Sequence, residues 1–221
     1  MAETSAAAAA PLWHWLGRQL ARPEGPGGAL VGHLMARANA APYRLALEAL
    51  RPEPQDRVLE LGFGPGAGIA ALAKRVGHVA GIEGSPAMLR LAQRRNRRAT
   101  ALGQVDLVAG DFQRLPWPNA CFDKVLAVNV AYFFDRSGSA VAEIRRVLKP
   151  GGLAVFYVTD RATMARWPFA GADTHLTYDA AALRRLLLDG GFGEGDISIT
   201  AHHLPLFVEG LVAVASSAPS A

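Results

Sequence analysis

From Asp56 onward short, strongly apolar runs alternate with stretches of helical periodicity, and this alternation constrains the fold more than any other feature of the chain. Strand-like runs fall at 57–61, 78–83, 105–109, 124–130 and 153–159, with helix-like stretches at 68–76, 86–98, 139–148 and 179–190. Apolar runs of this kind need both faces covered, so the pattern predicts a parallel sheet with helices on both sides. The 139–148 stretch places Val141, Ile144, Val147 and Leu148 on one face. The 179–190 helix starts near the N-caps Thr177 and Asp179 and stops at Gly190-Gly191. Two last strands, 196–204 and 206–215, are separated by Pro205.

Residues 1–51 read as a flexible tail followed by a helical cap, 52–215 as the main domain, and 216–221 as a small-residue tail. The breakers Pro23-Glu24-Gly25-Pro26-Gly27-Gly28 separate an aromatic segment (Trp13, His14, Trp15, Leu16) from a helix over 30–50 that Pro42 should kink or restart. With 51% hydrophobic and 19% charged residues the chain has enough apolar surface to fold throughout. A formal net charge of +4 is small for a dedicated nucleic-acid binder, and arginines 90, 94, 95, 97 and 98, spread around more than one helix face, read as solvation. The single cysteine, Cys121, excludes an intramolecular disulfide and a cysteine-based zinc site. It fits a reducing, cytoplasmic setting, and no metal is expected. No run approaches the ~20 apolar residues that a membrane span needs.

The glycine loop carries the chemistry. Val58-Leu59-Glu60-Leu61 runs into Gly62-Phe63-Gly64-Pro65-Gly66-Ala67-Gly68, where glycines let the backbone turn and approach a ligand closely. On its own the loop is weak evidence: it opens like a dinucleotide fingerprint, with a merely tight strand-to-helix turn as the lesser reading. The second strand ends at Glu83, about 20 residues after the first glycine, where a carboxylate accepts hydrogen bonds from ribose hydroxyls. The third is followed by Gly110-Asp111-Phe112, an acid to accept from an adenine amino group and a ring to cover its face. Three strand ends therefore converge on one nucleoside.

Together with Leu148-Lys149-Pro150-Gly151-Gly152 and the run Leu115-Pro116-Trp117-Pro118-Asn119-Ala120-Cys121-Phe122-Asp123, these motifs resemble those of class I S-adenosylmethionine-dependent methyltransferases. Within that family the small-molecule branch that includes the ubiquinone/menaquinone C-methyltransferases is the most similar. The resemblance implies a Rossmann-like, doubly wound, mostly parallel seven-stranded sheet with a final antiparallel strand. It implies S-adenosylmethionine as cofactor, with S-adenosylhomocysteine as product. Carried onto this chain, Glu60 and the backbone of Gly62, Gly64 and Gly66 face the methionine part and Glu83 the ribose. Gly84, Ser85 and Met88 edge the adenosine pocket, Gly110, Asp111 and Phe112 meet the adenine, and Asn129 and Val130 border the sulfonium. Phe63 and Pro65 depart from the residues many relatives carry there.

A small-molecule methyl acceptor and a monomer or homodimer are expected. Tyr43, Tyr132 and Phe133 are candidates for the acceptor wall, with burial in the core as their other reading. Where the acceptor must lose a proton, Tyr132 and His33 are the catalytic candidates, beside His14, His175, His202, His203 and Asp160. The other readings are an RNA methyltransferase, disfavoured because Asn129-Val130-Ala131-Tyr132 lacks the Asn/Asp-Pro-Pro-aromatic pattern, and a noncatalytic cofactor-binding subunit. A nicotinamide dehydrogenase is disfavoured by Asp111-Phe112 and the Lys-Pro-Gly-Gly turn.

Overall fold

A computed structural model of the chain describes residues 39–170 and 175–218. The aromatic segment Trp13-His14-Trp15, the breaker cluster, His33 and the first part of the 30–50 helix lie outside the described residues. Seven strands form one sheet: β1 (Arg57–Leu61), β2 (His78–Glu83), β3 (Val105–Ala109), β4 (Phe122–Val128), β5 (Leu148–Thr159), β6 (Ile197–Leu204) and β7 (Val208–Ser216). Their order is β3-β2-β1-β4-β5-β7-β6. β1 to β5 pair in parallel, and β7 runs antiparallel between β5 and β6. The helices are α1 (Ala40–Leu50), α2 (Ala67–Leu72), α3 (Pro86–Ala101), α4 (Ser139–Val147), the short α5 (Arg161–Met164) and α6 (Ala180–Asp189). None of the described helices is long and apolar enough to cross a membrane.

Period-two alternation divides the central strands between two cores. Val125 and Ala127 of β4, with Phe156 and Val158 of β5, join the layer containing Ile144 of α4 and Leu187 of α6. Their neighbours Leu126, Val128, Val155 and Tyr157 join the opposite layer, with Leu47 and Leu50 of α1, Leu72 of α2 and Ala92 of α3. Both sheet faces are thereby buried, which is why these strands read as continuous apolar runs. Helix α1 serves two surfaces: Ala46, Leu47 and Leu50 are buried in the core, while its first turn borders the cleft described below. Pro42 sits in that first turn, where backbone N–H groups lack intrahelical partners in any case, so it interrupts no ladder.

Several boundaries differ from the sequence reading, most by one to three residues, and three of them bear on the sheet and the glycine loop. β4 ends at Val128 rather than at 130, because Asn129 adopts a left-handed backbone (φ 54°) and turns the chain out of the sheet. β5 begins at Leu148 rather than at 153, since Leu148 already pairs with Phe122 ahead of an irregularity in the ladder. α2 ends at Leu72, before the predicted 76.

Candidate functional site

Strands are added outward from β1 through β2 to β3, and then β4 returns to the other side of β1. At such a switch point the two flanking loops leave in opposite directions and a crevice opens beyond the carboxyl ends of the strands. Here it is a cleft of ≈ 800 Å³, bordered by the glycine loop, the ends of β2, β3 and β4, and the first turn of α1.

The three glycines of the loop have left-handed backbones, and they differ in what surrounds them. A side chain on Gly62 (φ +62°) would run into Val130, whose Cβ lies 2.9 Å from the position it would take. Gly64 (φ +52°) has open space there, and its backbone faces the cleft. Gly66 (φ +77°) does not line the cleft. It backs onto α3, where an added Cβ would lie 2.6 Å from the Cβ of Ala92 and 2.7 Å from Nδ2 of Asn96. The buried Asn96 amide donates to the carbonyls of Gly66 (3.1 Å) and Ala92 (2.9 Å), locking loop to helix. Gly66→Ala is therefore expected to destabilise the fold by roughly 2–3 kcal/mol through overpacking and positive-φ strain. Urea unfolding checks this, alongside a cofactor affinity changed less than threefold.

Two carboxylates stand inside this frame. Glu83 is buried, accepting from the Gly64 N–H at 2.9 Å and the Ser85 N–H at 2.8 Å. Burial raises its pKa, and the backbone N–H groups of Ser85, Gly64 and Gly84 pull against that rise. Ser85 itself lies outside the cleft lining, as the N-cap of α3, with Oγ accepting from the Met88 N–H at 3.4 Å. Glu60 is more deeply enclosed: burial pushes its carboxyl up to about 8, the Tyr43 hydroxyl opposes the rise, and the neighbouring Glu83 adds to it. Tyr43 donates to Glu60 Oε2 at 3.2 Å. Burial also holds the Tyr43 hydroxyl well above its ordinary pKa. Space for the pair comes from Gly68, where a Cβ would collide with Glu60 Oε1 and stand 2.5 Å from the Tyr43 ring. Asp111 and Phe112 complete that end, with Phe112 packed 5.7 Å from Phe134 between ring centroids.

At the β4 end Asn129, Val130 and Phe133 line the cleft. Asn129 donates from Nδ2 to Asn39 Oδ1 at 2.9 Å and accepts on Oδ1 from the Tyr132 hydroxyl at 2.7 Å. Tyr132 does not line the cleft. It is buried, its oxygen accepts from the Thr159 N–H at 2.5 Å, and burial raises its pKa, leaving it a poor proton acceptor. Tyr132→Phe is expected to weaken cofactor binding about five- to tenfold, by freeing the Asn129 amide, at a stability loss of about 1–2 kcal/mol. Calorimetric titration and thermal melts measure the two effects separately.

The other proton-transfer candidates are dispersed. His175 is buried behind the wall, its ring 5.1 Å from Phe133 and 6.0 Å from Tyr132, and burial lowers its pKa. His202 and His203 lie on β6 at the sheet's far edge, and Asp160 caps α5 by accepting from the Ala162 N–H at 2.7 Å. Among the described lining residues the titratable groups are Tyr43, Glu60, Glu83 and Asp111. Of the predicted set, Glu60, Gly62, Gly64, Glu83, Gly84, Met88, Gly110, Asp111, Phe112, Asn129, Val130, Tyr43 and Phe133 are brought together around one cleft. Asn39 and Gly68 were missed. Asn39 has no local motif, since its partner stands 90 residues away, and Gly68 shows its purpose only against Tyr43.

The donor set decides what such a cleft accepts. Three acidic side chains, of which Glu60 is held protonated, with no described lysine, arginine or histidine in the lining suit a cationic, hydroxyl-bearing nucleoside better than a pyrophosphate. The residues present thus fit S-adenosylmethionine better than a dinucleotide. Among the described residues no cluster of His, Cys, Asp or Glu is placed to hold a metal ion.

Comparison with known proteins agrees. Residues 59–156 match the family model described as a methyltransferase domain. The chain is 34% identical over 134 residues to an uncharacterised methyltransferase, YdaC, of Bacillus subtilis, covering 60% of this chain and 72% of that protein. It is 34% identical over 125 residues to a fatty-acid O-methyltransferase of Mycolicibacterium smegmatis, covering 54% of this chain but only 43% of that one. In fold it is similar to phosphoethanolamine N-methyltransferase 2 of Haemonchus contortus, solved with S-adenosyl-L-methionine, at a TM-score of 0.68 and 14% identity over 82% of this chain and 53% of that one. The glycine-loop cleft, the acidic donor set and the match to YdaC together establish that this chain belongs to the class I S-adenosylmethionine-dependent methyltransferases.

Proposed function

We propose that the protein moves the methyl group of S-adenosylmethionine to a small, largely apolar acceptor by in-line displacement at the Asn129–Phe133 end of the cleft. One observation carries the reading: a single continuous cleft joins an acidic and aromatic end suited to a nucleoside with a second end walled by Val130, Phe133 and the first turn of α1. When bound, the cofactor supplies an electrophilic methyl group on a sulfonium. The chain's residues hold and orient. Glu83 takes the ribose hydroxyls, Gly110, Asp111 and Phe112 the adenine, and Gly84 and Met88 its edge. Glu60 and the backbone of Gly62 and Gly64 face the methionine part, while Gly66 and Ser85 shape the loop from behind. Asn129 and Val130 border the transfer point, with Tyr43 and Phe133 beside the acceptor.

Positioning of this kind supplies much of the acceleration of a displacement, so an acceptor that is already nucleophilic needs no protein base. The similarity to a fatty-acid O-methyltransferase supports an apolar acceptor. The test is transfer of labelled methyl from S-adenosylmethionine into organic-soluble metabolites of a cell extract, with RNA as the competing acceptor. Label in the small-molecule fraction is expected, and label confined to RNA would reverse the reading.

A further inference from the structure

We propose that the exposed face of α3 docks the protein on an anionic lipid surface. Arg90, Arg94, Arg95, Arg97 and Arg98 are all exposed on this helix. At 100° per residue they fall on one continuous arc of roughly 160°, which adjoins, at Arg95, the inward face carried by Met88, Ala92 and Asn96. This corrects the reading of the cluster as spread around more than one face. Positions 86–101 contain no acidic residue, and no ion pair among the described residues involves any of the five. Like charges at spacings of three and four, as in Arg90/Arg94, Arg94/Arg98 and Arg95/Arg98, destabilise an isolated helix. A polyanionic partner converts that repulsion into attraction.

Two features favour lipid over nucleic acid. No aromatic residue lies between 86 and 102, so the face offers no platform for stacking bases. At the helix end Leu102 continues the same arc and is 73% exposed. Arginines at headgroup level, with aliphatic stems and one leucine reaching inward, form the charge-plus-anchor pattern of an interfacial helix. The face also abuts the cleft: Pro86 and Met88 line it, and Arg90 follows within about 3 Å of helix rise. Docking would hold the cleft's rim near a surface that stores apolar acceptors. Only this last consequence rests on the proposed function, because vesicle binding is measured without acceptor or methyl transfer.

The experiment is co-sedimentation of the full chain with vesicles of phosphatidylcholine alone or with 30% phosphatidylglycerol, at 50 mM and 500 mM NaCl. Binding is expected to the anionic vesicles at low salt, and at least tenfold less to neutral vesicles or at high salt. At about fivefold per arginine, the triple substitution Arg90→Gln, Arg94→Gln, Arg97→Gln should lower partitioning on the order of 100-fold. Leu102→Ser should lower it several-fold at constant charge. Unchanged calorimetric affinity for S-adenosylmethionine shows that the variants remain folded. Should the triple variant not fold, the lipid and salt dependence of the unaltered protein and the Leu102→Ser result decide. Equal binding to neutral and anionic vesicles would overturn the proposal, as would full binding by the folded triple variant. So would displacement from vesicles by a 30-nucleotide RNA of random sequence at equal charge concentration.

Discussion

Glu83→Ala is expected to weaken S-adenosylmethionine binding by about 100-fold or more, on the order of 3 kcal/mol, given 1.5–3 kcal/mol for each hydrogen bond to a charged group. The carboxylate is placed to act twice. It accepts the Gly64 and Ser85 N–H groups, fixing the glycine loop against the start of α3, and its remaining lone pairs face the cleft. On the proposed ribose role, truncation removes the acceptor for the cofactor's hydroxyls, and it leaves both N–H groups without their partner. Glu83→Gln, which retains one acceptor oxygen, should fall between the two. Titration calorimetry reads the affinity, and a melt without ligand shows how much of the loss is structural. A folded Glu83→Ala protein that binds within threefold of the unaltered one would remove the ribose role. Tighter binding of NAD than of S-adenosylmethionine would remove the cofactor assignment itself.

The second large effect concerns protons. Glu60 holds its proton to about pH 8 in the folded protein, against 4.5 for an unperturbed glutamate, because burial disfavours the charge. A carboxyl with a raised folded pKa binds more protons in the folded state across this window, so stability falls as pH rises from about 4.5 to 8 and levels off above it. At 1.36 kcal/mol per unit the loss is on the order of 5 kcal/mol. Glu60→Gln mimics the protonated form and should flatten the profile, so that the variant is the more stable protein at pH 8 while the two converge near pH 4.5. Urea unfolding at pH 5, 6.5 and 8 measures the difference. Parallel profiles would show that Glu60 does not titrate in this range. Glu83, raised in the same direction, remains in both proteins, so the comparison reads Glu60 together with its coupling to Glu83. If a cationic ligand ionises Glu60, binding at pH 7 should release close to one proton. Calorimetry in buffers of different ionisation enthalpy detects it, and Glu60→Gln should abolish the release.

These predictions rest on a site of which half was readable along the chain. The loop glycines, Glu83 and Asp111-Phe112 are local signals: each follows an apolar run, so each lands at the end of a strand wherever that strand lies. The network behind the β4 end of the cleft gave no such signal. Asn39, Asn129, Tyr132 and Thr159 meet through hydrogen bonds spanning up to 90 residues of sequence, and Tyr132 reads as a pocket aromatic until its hydroxyl is seen committed to Asn129. Gly66 and Gly64 look alike in the motif, although one packs against α3 and the other opens to the cleft.

Hydrophobic period and glycine conformation are local properties of the chain, so the alternation, and with it a doubly covered parallel sheet, is legible residue by residue. It also set the acids and the aromatic on the rim of the cleft, since they stand at fixed offsets from strand ends. Long-range packing set which of these groups share a cleft, that β7 inserts between β5 and β6, and that Glu60 is buried against Tyr43. Burial, and every charge shift that follows from it, depends on what other segments bring to a position, and the position's own residues carry no record of that.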